Sequence, residues 1–569
     1  MSHKIKNLKE LIVLANRQGI RWTKDPSAHH TALGYLMDLS TKILKKMYIE
    51  LNTIHNINQP LRYWEIVLTP WLMQFLAVMY DRYVLANELI NDISCIECRA
   101  PRTLFITPRT TYESLKLTET EQFNNQILTD ILLILGEGEK ISDSPKKSLN
   151  FETVPNFNNE RNYSKQIFNN LSKLLTTKNS IVASYSSIPY QLQFKLVKTV
   201  KNLRPIFPYI DGVENYDYSV NLDLRQKQFI EQKPKTTFEN IALLTLFKYI
   251  PICYIEGYQK LQLLAKRYGQ PPKVIIVGTE MYSRYESYMH YVGRSAIKGT
   301  KIVSMQHGGN YGMELRSEKT LLEINPYDKF YSWGWSWNQY GRAEASEIKP
   351  MPATFLSNIK QSNVSDYQKS DILLTVTSIR KTIRRMDCSL MNPYNNEKYF
   401  NEQLKFYRYL NGINKGKVKI RLYKDDLGNL YKEKWLQKFP EIKFDSNLKF
   451  QQSLQNSKLY VTDHLSTTWL EAVTINKPTI LFISKDLYDY TPEFKELMEK
   501  LKLVSIYHDS ANSAANFINK TYPNIDSWWL SKNVQSVISD LRKTLAYVPN
   551  DWLEKWSDEL NKLARLSNR

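Results

Sequence analysis

Three polar clusters in this chain have the residue types and spacing to hold an activated phosphate. The first is Ser466-Thr467-Thr468, which follows the apolar run 459–461 and opens a helical segment. Thr468 and Glu471 have capping-box spacing, which predicts a helix N-terminus at the three hydroxyls. Free backbone N–H groups and the helix dipole favour an anion at such an end. An ordinary capped turn would use the same residues. The second cluster, Thr377, Ser378 and Arg380, ends the apolar run 372–376. The third, Arg421 and Lys424, ends the run 418–423. Fixed donors and cations at these three strand ends would bind a nucleotide phosphate and stabilise it as a leaving group.

Proton transfer needs a different set. Gln306-His307-Gly308-Gly309-Asn310-Tyr311-Gly312 follows the apolar run 302–305. Gly308 and Gly309 allow backbone N–H groups to approach a ligand closely. His307 falls at the carboxyl end of the strand, where ligands bind in open α/β sheets. A tight turn with a hydrogen-bonded histidine has the same pattern. A P-loop is excluded, because Gly-Lys-Ser/Thr is absent. Glu280 lies three residues beyond the run 274–277 and could act as general base on an acceptor hydroxyl. Glu314, Glu323 and Asp328 are its rivals. No Asp-x-Asp motif has a strand-end setting, so metal-independent transfer without a cofactor is expected.

The elements that must place these residues alternate. Strands are expected at 274–277, 302–305 and 329–333, with a helix at 283–297 between them. A second series places strands at 372–376, 418–423, 459–461, 479–483 and 503–506. Helices at 397–411, 450–456, 468–475 and 491–501 separate them. Such alternation implies parallel sheets. The chain to about 136 reads as helical, and 139–165 as a polar linker. The expected organisation is 1–165 helical region and linker, 166–360 acceptor domain, 361–535 nucleotide-binding domain, and 536–569 helices packing across both. Trp333, Trp335 and Trp337 are expected in the core or against a sugar.

Composition narrows the function classes. The 569 residues suffice for two or three cores. There are 77 basic and 57 acidic residues, a net charge of +20, which suits an anionic donor or membrane surface. No aromatic platform interleaved with basic residues points to nucleic acid. A non-catalytic basic binding protein rests on the charge alone. Four cysteines exclude a disulfide scaffold. The lone pair Cys95 and Cys98 lacks the further ligands of a structural zinc site. No apolar window is long enough to span a bilayer. The expected location is the cytoplasm, with possible peripheral contact to the inner face of the membrane.

Gln306 to Gly312, Tyr331-Ser-Trp-Gly-Trp335, and Asp463-His464-Leu-Ser-Thr-Thr-Trp-Leu-Glu-Ala472 with Asn476-Lys-Pro478 resemble a family of bacterial surface-carbohydrate transferases. Members are often associated with nonulosonic acid loci. The stretch from Tyr63-Trp64 to Asp81-Arg82 is also similar. The Ser-Thr-Thr-x-x-Glu-Ala segment further resembles capsule Kdo transferases and teichoic acid glycerophosphotransferases. The resemblance implies a GT-B fold, two Rossmann-like domains facing a cleft with the nucleotide on the C-terminal one. It implies a nucleotide-activated donor, CMP-linked in the nearest relatives, and a glycan or lipid-linked glycan acceptor. CDP-glycerol is the alternative donor. Many relatives carry His-Pro at the strand end where this chain has Arg421-Leu-Tyr-Lys424. The resemblance brings His464 and Glu471 into the donor-site set.

Overall fold

The structure is a computed structural model. It describes residues 3–566 except 18–25, 99–104, 144–162, 185–187, 227–233, 279–284, 340, 344–345, 360–370, 387 and 448. The helical N-terminal region is built on Pro26–His55 and Leu61–Leu89. The second of these is apolar almost all round and is buried almost all round, as a core helix must be. The region also holds a small parallel sheet, β1 (His3–Ile5), β2 (Ile93–Cys98) and β3 (Ile141–Asp143), in the order β1-β2-β3. The sequence reading had no strand there. Most of its 139–165 linker lies outside the described residues.

The first large sheet contains β4 (Ile181–Ser184), β5 (Leu203–Ile206), β6 (Val274–Val277), β7 (Lys301–Met305), β8 (Lys329–Ser332) and β9 (Glu347–Pro350). Its order is β5-β4-β6-β7-β8-β9, and every pair is parallel. The second contains β10 (Asp371–Thr375), β11 (Val418–Arg421), β12 (Lys443–Phe444), β13 (Ser457–Thr462), β14 (Thr479–Phe482) and β15 (Tyr507–His508). Its order is β12-β11-β10-β13-β14-β15, again all parallel. Central strands such as Val274–Val277 and Thr479–Phe482 are buried throughout, which is why they read as unbroken apolar runs. Helices cover both faces of each sheet. The expected two doubly wound α/β units are therefore present.

One predicted strand is displaced. Residue 503 ends the helix Pro492–Leu503, where Leu503 is exposed, and the strand lies at Tyr507–His508. Ser505 takes φ 60°, the left-handed turn that commonly stops a helix, so residues 503–506 are a terminus and not a strand.

The chain crosses between the two units more than once. Helix Lys532–Leu545 packs Val534, Ile538, Leu541 and Leu545 into the second unit's core. Helix Trp552–Leu566 returns to the first, where Trp556, Leu560 and Leu563 join β4, β6 and β7. Glu559 on that helix accepts a 2.8 Å hydrogen bond from Tyr331 and pairs with Lys349 and Lys329. The N-terminal helices also reach across. Buried Arg82, paired with Asp81, donates to the Ile383 carbonyl at 2.6 Å. No described helix is long and apolar enough to cross a membrane.

Candidate active site between the two sheets

The loops after β7 and β13 meet. Gly309 N–H donates to the Thr467 hydroxyl at 2.9 Å. A Cβ on Gly309 would stand 2.5 Å from the Ser466 carbonyl carbon, and one on Gly308 would stand 2.9 Å from Thr467 Oγ1. The two glycines therefore permit a backbone approach that no side chain could. Asn310 takes φ 63° to complete the turn. Nearby, Leu315 N–H donates to Asp489 O at 3.0 Å and Thr491 N–H to Met313 O at 2.9 Å. Glu314 accepts from Ser389 N–H and Oγ at 3.0 and 2.9 Å, which commits that carboxylate to joining the units.

The helix Thr467–Thr474 begins at the predicted hydroxyls, with Ser466 as N-cap, but the capping box does not form. Ser466 makes no side-chain cap. Thr468 Oγ1 lies 2.7 Å from Ser466 Oγ and accepts from Tyr460 at 2.9 Å. Glu471 accepts from Gln451 at 2.6 Å instead of reaching back, and burial pushes its pKa up to about 7. The first-turn N–H groups thus lack the hydroxyl acceptor that an N-cap side chain would supply.

His307 sits in a relay. Tyr311 Oη lies 2.7 Å from His307 Nδ1 and donates to Glu323 Oε2 at 2.8 Å. Glu323 Oε2 is itself 3.5 Å from Nδ1. Tyr311 Oη also lies 3.1 Å from Nε2, and because its own proton goes to the carboxylate, its oxygen accepts from the ring N–H. Burial, and then the cations Lys319 and Arg385, lower the His307 pKa to about 3. The imidazole is neutral at physiological pH. Glu323 lies in a π-helical turn, Thr320–Ile324, a geometry frequent at functional sites. Gln306 fixes the loop from behind, its Oε1 accepting from Trp333 N and Trp335 Nε1, both at 2.9 Å. Trp333 and Trp335 are therefore buried core residues.

A second histidine is held just beyond the end of β13. His464 Nδ1 lies 2.8 Å from Asp463 Oδ1. Tyr399 donates to the same oxygen at 2.6 Å and accepts from Thr377 N–H at 2.9 Å. Gln403 donates to Asp463 Oδ2 at 2.9 Å. Asp463 thus ties the ends of β10 and β13 together and orients His464. A cavity of about 290 Å³ opens beside them and is lined by Ser378, Tyr423, Lys424 and Asp426. Leu427 and Leu430 on its loop both take φ 55°, a strain that tends to cluster at ligand sites.

The structure brings together His307, Gly308, Gly309, Ser466, Thr467 and Thr468, and places Thr377 and His464 around Asp463. It does not bring Arg421 or Arg380 to them. Arg421 pairs with Asp445 and donates to Asn447 O at 2.9 Å and Ser453 Oγ at 3.1 Å. Arg380 donates to Glu119 of the helical region at 2.8 Å. Asp328 is used by Arg62 and by Ile302 N–H. Glu280 lies outside the described residues. Sequence reasoning did not assign roles to Tyr311, Asp463, Lys319 or Arg385. Asp463 alone had a signal, its place beside His464 directly after a strand. Among the described residues no group of three or more His, Cys, Asp or Glu is arranged to hold a metal.

Comparison with known proteins then decides the class. The description "LIC12162 family transferase" matches residues 20–560. The chain belongs to that family. It is an enzyme of group transfer. No curated protein matches the chain. Among solved structures, MnaA of S. aureus with UDP overlaps 68% of this transferase and 97% of its own chain, at 13% identity and TM-score 0.38. The wall teichoic acid polymerase TagF overlaps 70% and 94%, at 12% identity and TM-score 0.35. Spinosyn forosaminyltransferase SpnP overlaps 68% and 99%, at 9% identity and TM-score 0.32. Likeness of this size carries no argument about the transferase's substrates.

Proposed function

We propose that this transferase is a metal-independent glycosyltransferase that moves a sugar from a nucleotide-activated donor to a surface-glycan precursor. The observation that carries the reading is the meeting of the Gly308-Gly309 loop with the Ser466–Thr467 helix start across the carboxyl edges of two parallel sheets. This edge is where open α/β sheets bind ligands. The helix N-terminus supplies N–H donors for a phosphate, and His307 supplies a neutral imidazole within the same junction.

The acceptor hydroxyl oxygen bonds to the anomeric carbon while that carbon's bond to the donor phosphate oxygen breaks. The bonding pair leaves on the phosphate, held by the helix start and Thr467. The acceptor proton passes to the unprotonated ring nitrogen of His307, whose other N–H is held by Tyr311 and, through it, Glu323. Glu280 is the second candidate base. Lys424, Thr377 and His464 surround the nucleoside end of the donor site. On the resemblance, the donor is a CMP-activated nonulosonic acid or Kdo, and the acceptor a lipid-linked or free glycan.

A thermal-shift screen of CMP, CDP, UDP, GDP and TDP tests the reading, because a ligand specific for the folded state raises stability by RT ln(1 + [L]/Kd). Stabilisation by CMP above the others is expected. Equal shifts from all, or none, would overturn the cytidine assignment. Hydrolysis of CDP-glycerol, with CMP-sugars left intact, would assign polyol-phosphate transfer instead.

A further inference from the structure

Helix Tyr163–Leu175 lies beside the edge strand β5 with its inner face fixed. Ser172 donates to Pro205 O at 2.8 Å. Asn169 donates to Phe207 O at 2.6 Å and accepts from Phe207 N–H at 2.9 Å. The opposite face is apolar and open. Ile167, Leu171, Leu174 and Leu175 follow helical spacing and are 61, 55, 81 and 60% exposed. Isolated exposed leucines are ordinary, but four on one helical stripe are a contiguous patch.

The sequence that carries the stripe is one-sided in charge. From residue 163 through 210 the sequence has six lysines and Arg204, and no Asp or Glu, in a chain where acids are one residue in ten. Lys173 and Lys178, on the helix and just beyond it, are exposed, and so is Lys201. Arg204 is held at the end of the stripe, donating to Leu175 O at 3.2 Å and Lys201 O at 2.7 Å.

We propose that this face docks the enzyme on an anionic lipid bilayer. An interfacial helix needs an apolar stripe that enters the headgroup boundary and basic residues that meet anionic lipid, and both are present. The surface does not suit a second copy, because an isologous contact would bring the same acid-free, basic patch against itself. It does not suit nucleic acid, which has no use for a stripe of leucines. The inference does not depend on which donor the enzyme uses.

The test is co-sedimentation of the full chain with phosphatidylcholine vesicles and with mixed phosphatidylcholine–phosphatidylglycerol vesicles. Wild type is expected to bind the anionic vesicles, weakly the neutral ones, and less as salt rises. Leu171→Asp with Leu174→Asp should weaken binding by roughly tenfold or more, and so should Lys178→Glu with Lys201→Glu. All four sites are exposed, and thermal melting with and without nucleotide checks that the variants keep the fold and the donor site. The proposal is overturned if wild type ignores anionic vesicles, or if either double variant binds like wild type. It is equally overturned if wild type is a dimer that the leucine variant dissociates, or if duplex RNA competes fully with the vesicles.

Discussion

Gly309 donates its backbone N–H to the hydroxyl of Thr467 at 2.9 Å, and the two residues belong to different sheets. The β7 loop is therefore docked on the helix start that the donor phosphate would need. A phosphate at that helix end must share this contact or replace it, so donor entry is coupled to the spacing of the two units.

Gly309→Ala tests that spacing. The added Cβ would overlap the Ser466 backbone at 2.5 Å, and a backbone atom cannot rotate away as a flexible side chain can. The loops must separate. A displacement of about 1 Å in an active site costs about 10² in rate, and a loss of that order is expected in turnover per folded molecule. Full turnover would show that the contact is incidental to catalysis.

Thr467→Ala removes the hydroxyl and leaves the backbone free to keep its path. A hydrogen bond to a charged group contributes about 1.5–3 kcal/mol, so donor affinity should fall about ten- to a hundredfold. Its partner Gly309 N–H is only part-buried, which limits the cost to folding. Titration calorimetry beside thermal melting separates the two effects. Normal donor binding with earlier melting would leave Thr467 a purely structural contact.

The relay makes a graded forecast. His307→Ala should lower turnover by about 10²–10⁴ with nucleotide binding near wild type. Tyr311→Phe breaks the chain from Nδ1 to Glu323 while keeping the ring, and its loss should be smaller than that of His307→Ala. Single-turnover rates on nucleotide-saturated protein decide it. If Tyr311→Phe matches wild type, Glu323 has no part in orienting the imidazole. If His307→Ala keeps more than about a tenth of turnover, it is not the base, and Glu280→Gln is the variant to measure next.

What the sequence showed and hid follows from which interactions are local. Buried parallel strands announce themselves as apolar runs, so β6, β7, β10, β13 and β14 were legible. Strands β5 and β9 were not, because Leu203–Ile206 and Glu347–Pro350 are short, contain proline and lie at sheet edges, where burial is incomplete. The glycine loop and the Ser-Thr-Thr helix start could be read because each is contiguous. Their contact could not, since 158 residues separate Gly309 from Thr467. Arg421 looked like a free strand-end cation for the same reason: its partner Asp445 lies 24 residues away at the next strand's end.

Arg421 pairs with Asp445, a half-buried residue whose side chain is little exposed, so Arg421→Ala should act on stability. Asp445 keeps its hydrogen bonds from Ser453 and Asn447 when Arg421 is removed, so the loss should be about 1–3 kcal/mol. Chemical denaturation should show a loss of that order, and nucleotide affinity of the folded fraction should stay near wild type. A large loss of nucleotide affinity with unchanged stability would restore Arg421 to the donor site.

Buried ionisable groups set the pH range of the fold. Glu286 opens the helix Glu286–Ala296, and burial, with the charge of Asp211, raises its pKa to about 8. In the unfolded chain a glutamate titrates near its ordinary value, about 4.3. Between these values the folded state holds a proton that the unfolded state has lost. Stability contributed by the neutral carboxyl is present at low pH and is lost as pH rises through about 8, at up to about 1.4 kcal/mol per pH unit. Glu471, raised to about 7, acts in the same direction. The histidines oppose this. His30, His290 and His307 have pKa values lowered to about 3, chiefly by burial, so the unfolded chain binds their protons first and stability falls as pH drops below the ordinary histidine value of about 6.5. The melting temperature should therefore peak at about pH 6–7 and fall on both sides. Glu286→Gln keeps the neutral shape and removes the ionisation. Its melting curve should stay flatter than wild type between about pH 5 and 8. If the two alkaline limbs coincide, Glu286 is ionised in the folded protein despite its burial beside Asp211.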